Sequence, residues 1–153
     1  MTAIDETDRR LLTLLQADSA LTNQELAARA HVSPATCLRR IRRLVNAGVI
    51  ERRMAILSPD ALGVGLTAIL EVTLDVQSAE ALAAFETALA DEAAVQQCYR
   101  VASGPDFILV VYVTDMAAYH AFVHRALTAD ANVRNVRSFF SVRRSKFSPV
   151  LPV

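Results

Sequence analysis

Residues 22–48 read TNQELAARAHVSPATCLRRIRRLVNAG, and this stretch decides the fold of the N-terminal third. Thr22 followed by Glu25 predicts a capping box, in which each side chain meets an orphan backbone N–H at a helix start. Leu26, Ala27 and Ala30 supply that helix with an apolar stripe. His31-Val32-Ser33 has the length of a tight interhelical turn. Ser33 is placed to N-cap a second helix, and Pro34 at its first position gives up no useful N–H. Cys37, Ile41, Leu44 and Val45 recur at helical spacing as an inward face. Gly48 is expected to close the helix in a left-handed conformation. The outer face is then Ala35, Thr36, Arg39, Arg40, Arg43 and Asn46.

Four arginines, Arg39, Arg40, Arg42 and Arg43, fall within five positions of that second helix. Basic charge on a short helix presented by another helix suits a reader of the major groove of double-stranded DNA. Pro34, Ala35, Thr36 and Arg39, beside the capping Ser33, are expected nearest the base edges. Arg40, Arg42 and Arg43 are expected on the phosphate backbone. A solvated basic face on an ordinary helical hairpin would carry the same charges. The turn chemistry and the caps favour the DNA reader.

The flanking sequence completes a small domain. Ile4, Leu11, Leu12, Leu14 and Leu15 give an apolar face to an opening helix from about Asp5 to Asp18, which makes a three-helix bundle. Val49 to Leu57 fits a short hairpin, the wing of a winged helix, with Arg52 and Arg53 on flanking phosphates. Ser58-Pro59-Asp60 breaks the pattern, and Gly63 and Gly65 loosen it further. The domain boundary is set near residue 60. A winged helix-turn-helix domain spans 1–60 and a second domain 61–153.

The chain has 153 residues, 53% of them hydrophobic, and a formal net charge of zero. Zero net charge argues against a wholly basic nucleic-acid coat. It hides an asymmetry. Residues 33–53 hold six arginines and one acid, whereas residues 60–133 hold ten acids and two arginines. The stretch from Arg134 to Lys146 holds five bases and no acid. A local basic patch fits a targeted DNA contact. Cys37 and Cys98 lack metal-ligand spacing, and two buried thiols suggest a reducing compartment. The polar start MTAIDETDRR is no signal peptide. The longest apolar run, Phe107 to Val113, is too short to span a membrane. A soluble, cytoplasmic protein is expected.

In the second half the period changes. Leu66, Ala68, Leu70, Val72, Leu74 and Val76 alternate with Thr67, Glu71, Thr73 and Asp75, which reads as a half-buried strand. Leu82, Phe85 and Leu89 mark a helix over about 78–91. Strands follow at Val95 to Ala102 and Phe107 to Thr114. A helix from Met116 to Leu127 turns Tyr119, Phe122, Val123 and Leu127 inward. Val136, Ser138, Phe140 and Val142 mark a fourth strand. The order βαββαβ is the ferredoxin-like pattern, so the fold class is α+β. Both helices can cover one sheet face and leave the other open, which invites oligomerisation. Residues 148–153 read as a tail that packs on a partner.

A winged helix-turn-helix followed by βαββαβ resembles the Lrp/AsnC family of bacterial and archaeal regulators. The resemblance is carried by Ile4-Asp5-Glu6-Thr7-Asp8 ahead of Leu11-Leu12, by Gln24-Glu25-Leu26-Ala27 and by Val32-Ser33-Pro34. It continues through Arg40-Ile41-Arg42-Arg43-Leu44, Gly48-Val49-Ile50, Ser58-Pro59 with Leu62-Gly63, and Cys98-Tyr99-Arg100-Val101. It covers nearly the whole chain. It implies a transcription regulator that senses a small molecule, often an amino acid. It also implies dimers formed through the second domain and assembled further, commonly to octamers.

In that family the effector turn reads Thr-Gly-Asp-x-Asp-Tyr. The matching stretch here is Ala102-Ser103-Gly104-Pro105-Asp106-Phe107, with Ser103 in place of the glycine and Gly104 one position later. Backbone N–H groups of such a turn can hold a carboxylate, and Asp106 can hold an amine. A plain hairpin turn is the competing reading. Thr114 and Asp115 match a family position near the effector and also suit an N-cap.

Siroheme decarboxylases resemble the same two-domain architecture and supply a rival, enzymatic reading. His120 and His124 share a helical i, i+4 spacing that can grip a metal, but no third ligand is evident. No nucleophile–base pair, phosphate loop or paired carboxylates stand out. A third reading is an effector sensor that no longer binds DNA. The arginines of residues 39–43 favour the regulator over both, with no catalytic residue, metal or cofactor.

Overall fold

The structure is a computed structural model that describes residues 3–62, 65–129 and 132–153. Gly63, part of the expected interdomain break, lies outside the described residues. The chain divides into two compact units. One comprises Met1–Leu57 with Lys146–Val153, the other Ser58–Ser145.

The first unit is built on helices α1 (Glu6–Ala17), α2 (Asn23–Ala30) and α3 (Pro34–Asn46). Each start is capped as its sequence dictates. Asp5 accepts from the Asp8 N–H while Asp8 accepts from the Asp5 N–H, a second capping box ahead of the one at Thr22 and Glu25. Ser33 accepts from the Thr36 N–H. Gly48 takes a φ of +69°, and the N–H of Val49 returns to the Leu44 carbonyl at 2.9 Å, so the last turn of α3 is closed as expected. His31 makes the turn between α2 and α3 in the same left-handed region, at φ 57°.

Leu11, Leu12, Leu15, Leu26, Ala30, Cys37, Ile41 and Leu44 form the core of this unit. Val45, expected inward, is 46% exposed, because it turns away from the arc centred on Cys37, Ile41 and Leu44. The expected wing hairpin is absent: residues 51–58 run on without helix or strand. The expected break at Ser58 is one helical turn, α4 (Pro59–Leu62), whose Ala61 N–H reaches Ser58 Oγ. The tail does not wait for a partner. Gln16 of α1 exchanges two hydrogen bonds with the backbone of Leu151, at 2.7 and 3.0 Å, and Lys146–Val153 groups with the first unit.

The second unit holds strands β1 (Leu66–Leu74), β2 (Val95–Arg100), β3 (Phe107–Val113) and β4 (Val133–Phe140). They pair antiparallel in the order β2-β3-β1-β4. Helices α5 (Ala79–Ala90) and α6 (Met116–Val123) bring Phe85, Leu89, Tyr119 and Phe122 onto one face of the sheet. That face carries Ala68, Leu70 and Val72 of β1, paired with Val111, Leu109 and Phe107 of β3, and Leu74, paired with Val133 of β4. A π turn at His124–Thr128 follows α6 and shifts the helical phase. Leu127 lies five residues after Phe122 and is still fully buried. Val76 and Val142, expected inward, are exposed, because β1 ends at Leu74 and β4 at Phe140.

On the other sheet face, described apolar side chains stay partly exposed. Alternation places Ile69 beside Val110 and Phe139, and Tyr99 beside Ile108. Ile69 is 42% exposed and Phe139 45%.

Candidate nucleic-acid interface and effector site

Helix α3 begins at a capped, proline-led turn held against α2 by the Asn23 side-chain amide, which donates to the Pro34 carbonyl at 2.9 Å. Its buried arc fixes what it shows to solvent. Ala35, Arg39, Arg42 and Asn46 lie on the arc opposite Cys37 and Ile41, and all four are exposed. Pro34 and Ser33 are exposed at the helix start, and Thr36 is half-buried, with its hydroxyl accepting from Ser33 Oγ at 2.9 Å. Arg52 and Arg53 are exposed on the segment that follows. Among the described residues, Arg39, Arg42, Arg52 and Arg53 enter no ion pair.

Arg40 and Arg43 differ from the expectation of a free outer face. Arg40 donates to Asp5 Oδ2 at 2.6 Å and to Asp8 Oδ1 at 2.9 Å. Arg43 donates to Asp8 Oδ2. Asp8 is fully buried, and a carboxylate taken out of water needs such partners. Arg40 is drawn in, with 22% of its side chain exposed, whereas Arg43 keeps 46%. The Asp5 carboxyl is lowered to about 2, first by the Asp8 N–H and then by Arg40, while the two aspartates hold the Arg40 guanidinium above its usual range. In the sequence Asp5 and Asp8 stand only at the start of the opening helix and in the family motif; their capping box is a finding of the structure. So is their reach to a helix more than thirty residues away.

The turn between β2 and β3 holds the matched effector stretch. Ala102, Ser103 and Gly104 are exposed, and their backbone N–H groups have no partner among the described residues. Gly104 sits at φ +88°, a conformation that favours glycine. Asp106 is engaged: its Oδ2 accepts from the Leu74 N–H at 2.7 Å and from the Gln77 amide at 3.2 Å. Gly104 and Pro105 line a shallow depression with Glu71, Thr73, Asn135 and Arg137. Arg137 donates to Glu71 at 3.0 Å across the open sheet face. The basic stretch from Arg134 was legible in sequence. Its meeting with Glu71 depends on the pairing of β4 with β1.

Thr114 and Asp115 do not join this turn. They lie past the opposite end of β3, about 24 Å or more from Phe107 at a strand rise of about 3.4 Å per residue. Asp115 is the N-cap of α6, accepting from the Ala118 N–H at 2.8 Å. Cys98, expected buried, is exposed on edge strand β2, while Cys37 is in the core, where burial pushes its thiol up. His120 and His124 are exposed. No group of three potential metal-ligating side chains occurs among the described residues, nor is any of their helices long and apolar enough to cross a membrane.

Residues 67–151 match the Lrp/AsnC ligand binding domain, and residues 4–51 a winged helix-turn-helix DNA-binding domain. The chain belongs to the Lrp/AsnC family of DNA-binding transcription regulators. It is 38% identical over 143 residues to the leucine-responsive regulatory protein of Rhizobium meliloti, covering 94% of this chain and 92% of that protein. A transcriptional regulator of Neisseria meningitidis, solved as a complex with L-methionine, superposes with a TM-score of 0.87 at 32% identity, over 98% of this chain and 97% of the other. A feast or famine regulatory protein of M. tuberculosis, also complexed with L-methionine, gives 0.85 at 31% identity, over 97% and 99%. Both solved structures share the fold found here over nearly their whole length.

Proposed function

We propose that this Lrp/AsnC regulator binds DNA as a dimer that sets two copies of α3 into major grooves about one helical turn, or a multiple, apart. The observation that carries this reading is the outward row Ala35, Arg39, Arg42 and Asn46, whose two arginines enter no ion pair among the described residues. Thr36 and Arg39 lead base choice. Arg42, the exposed half of Arg43, Arg52 and Arg53 meet phosphates. The protein acts in the cytoplasm by binding, not by catalysis.

The open sheet face, with Ile69, Val110, Tyr99 and Phe139, is the natural dimer surface, and dimers assemble further, to an octamer. The effector is an amino acid. Its carboxylate is held by the free N–H groups of Ala102, Ser103 and Gly104, beside Pro105, and its ammonium by Asp106. The complexes of two relatives with L-methionine support that class of ligand. Thr114 and Asp115 contribute from a neighbouring chain, because their own turn is out of reach. Binding shifts the assembly only by its difference in affinity between assembly states.

Sedimentation velocity with each of the twenty amino acids tests this. One or a few should change the assembly. A distribution unmoved by all twenty would contradict the effector reading and leave the DNA reading standing.

A further inference from the structure

The ion network between α1 and α3 sorts the arginines of the recognition helix. Four basic side chains in five positions would drive strong, sequence-tolerant attraction to any duplex, because each phosphate neutralised releases counterions. Asp8 has no exposed surface, so its charge is spent entirely inside the protein. It faces Arg40 through Oδ1 and Arg43 through Oδ2. Asp5 adds a second carboxylate to the same terminal nitrogen of Arg40. Arg40 therefore meets two acids, and its Nε is buried without a partner. Withdrawing it toward DNA would strand the Asp8 carboxylate with one cation in a site closed to water. Arg43 is held at one nitrogen only and keeps its outer edge in solvent.

We propose that Asp8, backed by Asp5, is a positioning residue for DNA recognition: it removes Arg40 from the phosphate-contacting set, aims Arg43, and so limits sequence-independent affinity. The inference rests on the DNA-binding reading above. It turns an apparent run of four phosphate contacts into a graded set. Arg39 and Arg42 are free, Arg43 is tethered and Arg40 is withheld. The roll of α3 against α1 is fixed by the same bonds, which keeps Arg39 pointed at the groove.

The test uses the full chain and a random-sequence duplex, with affinity measured across a series of salt concentrations. Each phosphate contact contributes about 0.9 to the slope of log affinity against log salt. Arg40→Gln should leave that slope unchanged, whereas Arg42→Gln should lower it by about 0.9. Asp8→Asn alone leaves Asp5 on Arg40, so the release is tested with Asp5→Asn and Asp8→Asn combined, which should steepen the slope by about 0.9. The double variant should also narrow the gap between random and selected DNA. A merely structural role for the two aspartates would weaken binding without steepening the slope. Thermal melting shows whether the double variant is folded; if it is not, Arg40→Gln decides alone. An Arg40→Gln slope that falls as far as that of Arg42→Gln would overturn the inference, as would a folded double variant with an unchanged slope. An unsubstituted chain without salt-dependent binding would instead remove the DNA reading, and this inference with it.

Discussion

Leu74 and Asp106 meet where β1 ends, the backbone N–H of one donating to the carboxylate of the other at 2.7 Å across 32 residues of chain. The same oxygen takes the Gln77 amide. The turn that carries Gly104 is thereby tied to the strand beside it, and its free N–H groups are held in place. Asp106→Ala should cost about 1–3 kcal/mol, because a part-buried donor loses its acceptor. Asp106→Asn keeps an acceptor and loses the charge that would meet an ammonium group. Its melting temperature should stay close to that of the unsubstituted protein while its response to an amino acid disappears in titration calorimetry. Equal losses of stability in both variants would contradict this division.

Acid should loosen the first unit through Asp5. Its folded pKa, about 2, lies below the ordinary value of 3.8. A group lowered on folding contributes stability that is complete above its unfolded pKa and disappears as pH falls through the folded one. The loss therefore falls between about pH 4 and pH 2. Asp5→Asn keeps the cap acceptor for Asp8 but does not titrate, so stability should decline less steeply across that window. Chemical denaturation at several pH values measures it. Parallel declines for both proteins would show that Asp5 does not supply the dependence.

Among the described residues Arg39 and Arg42 are both exposed and enter no ion pair, yet they should fail differently. Arg39→Ala should relax sequence preference, at about 1–3 kcal/mol of discrimination for a base contact. Arg42→Ala should weaken all duplexes alike. Competition between selected and random DNA separates the two. Uniform weakening in both variants would place Arg39 on phosphate.

Charge on the open sheet face should block dimer formation without unfolding the subunit. Ile69 and Phe139 are opposed in the β1–β4 register and are both more than a third exposed. Ile69→Asp with Phe139→Asp should give a folded monomer in sedimentation, with near-native circular dichroism. A dimer that persists would place the interface elsewhere.

The elements were legible where short-range physics decides them. The Thr22–Glu25 capping box, the Ser33-Pro34 start, strand alternation and the Gly48 closure each depend on a few neighbouring residues. Val45 was misplaced because heptad spacing alone does not fix the centre of a helix's buried arc. Val49 to Leu57 has strand-like residues, yet residues 51–58 pair with no strand among the described residues. The site was only half legible. Arg39 stands on the outer arc expected for it, and Arg42, absent from the expected outer face, stands beside it. Arg40 and Arg43 are not free there, because a buried acid on another helix, Asp8, competes for them. Thr114 and Asp115 are separated from Ser103 by the length of a strand, a distance that motif matching does not carry.

The most direct test of the account is selection by the full chain from a pool of random-sequence duplexes, with and without the twenty amino acids. The account predicts enrichment of paired half-sites about one helical turn apart, or a multiple of it, with at least one amino acid changing the enrichment. A pool that remains random after repeated rounds, with or without amino acids, would contradict sequence-specific recognition by α3.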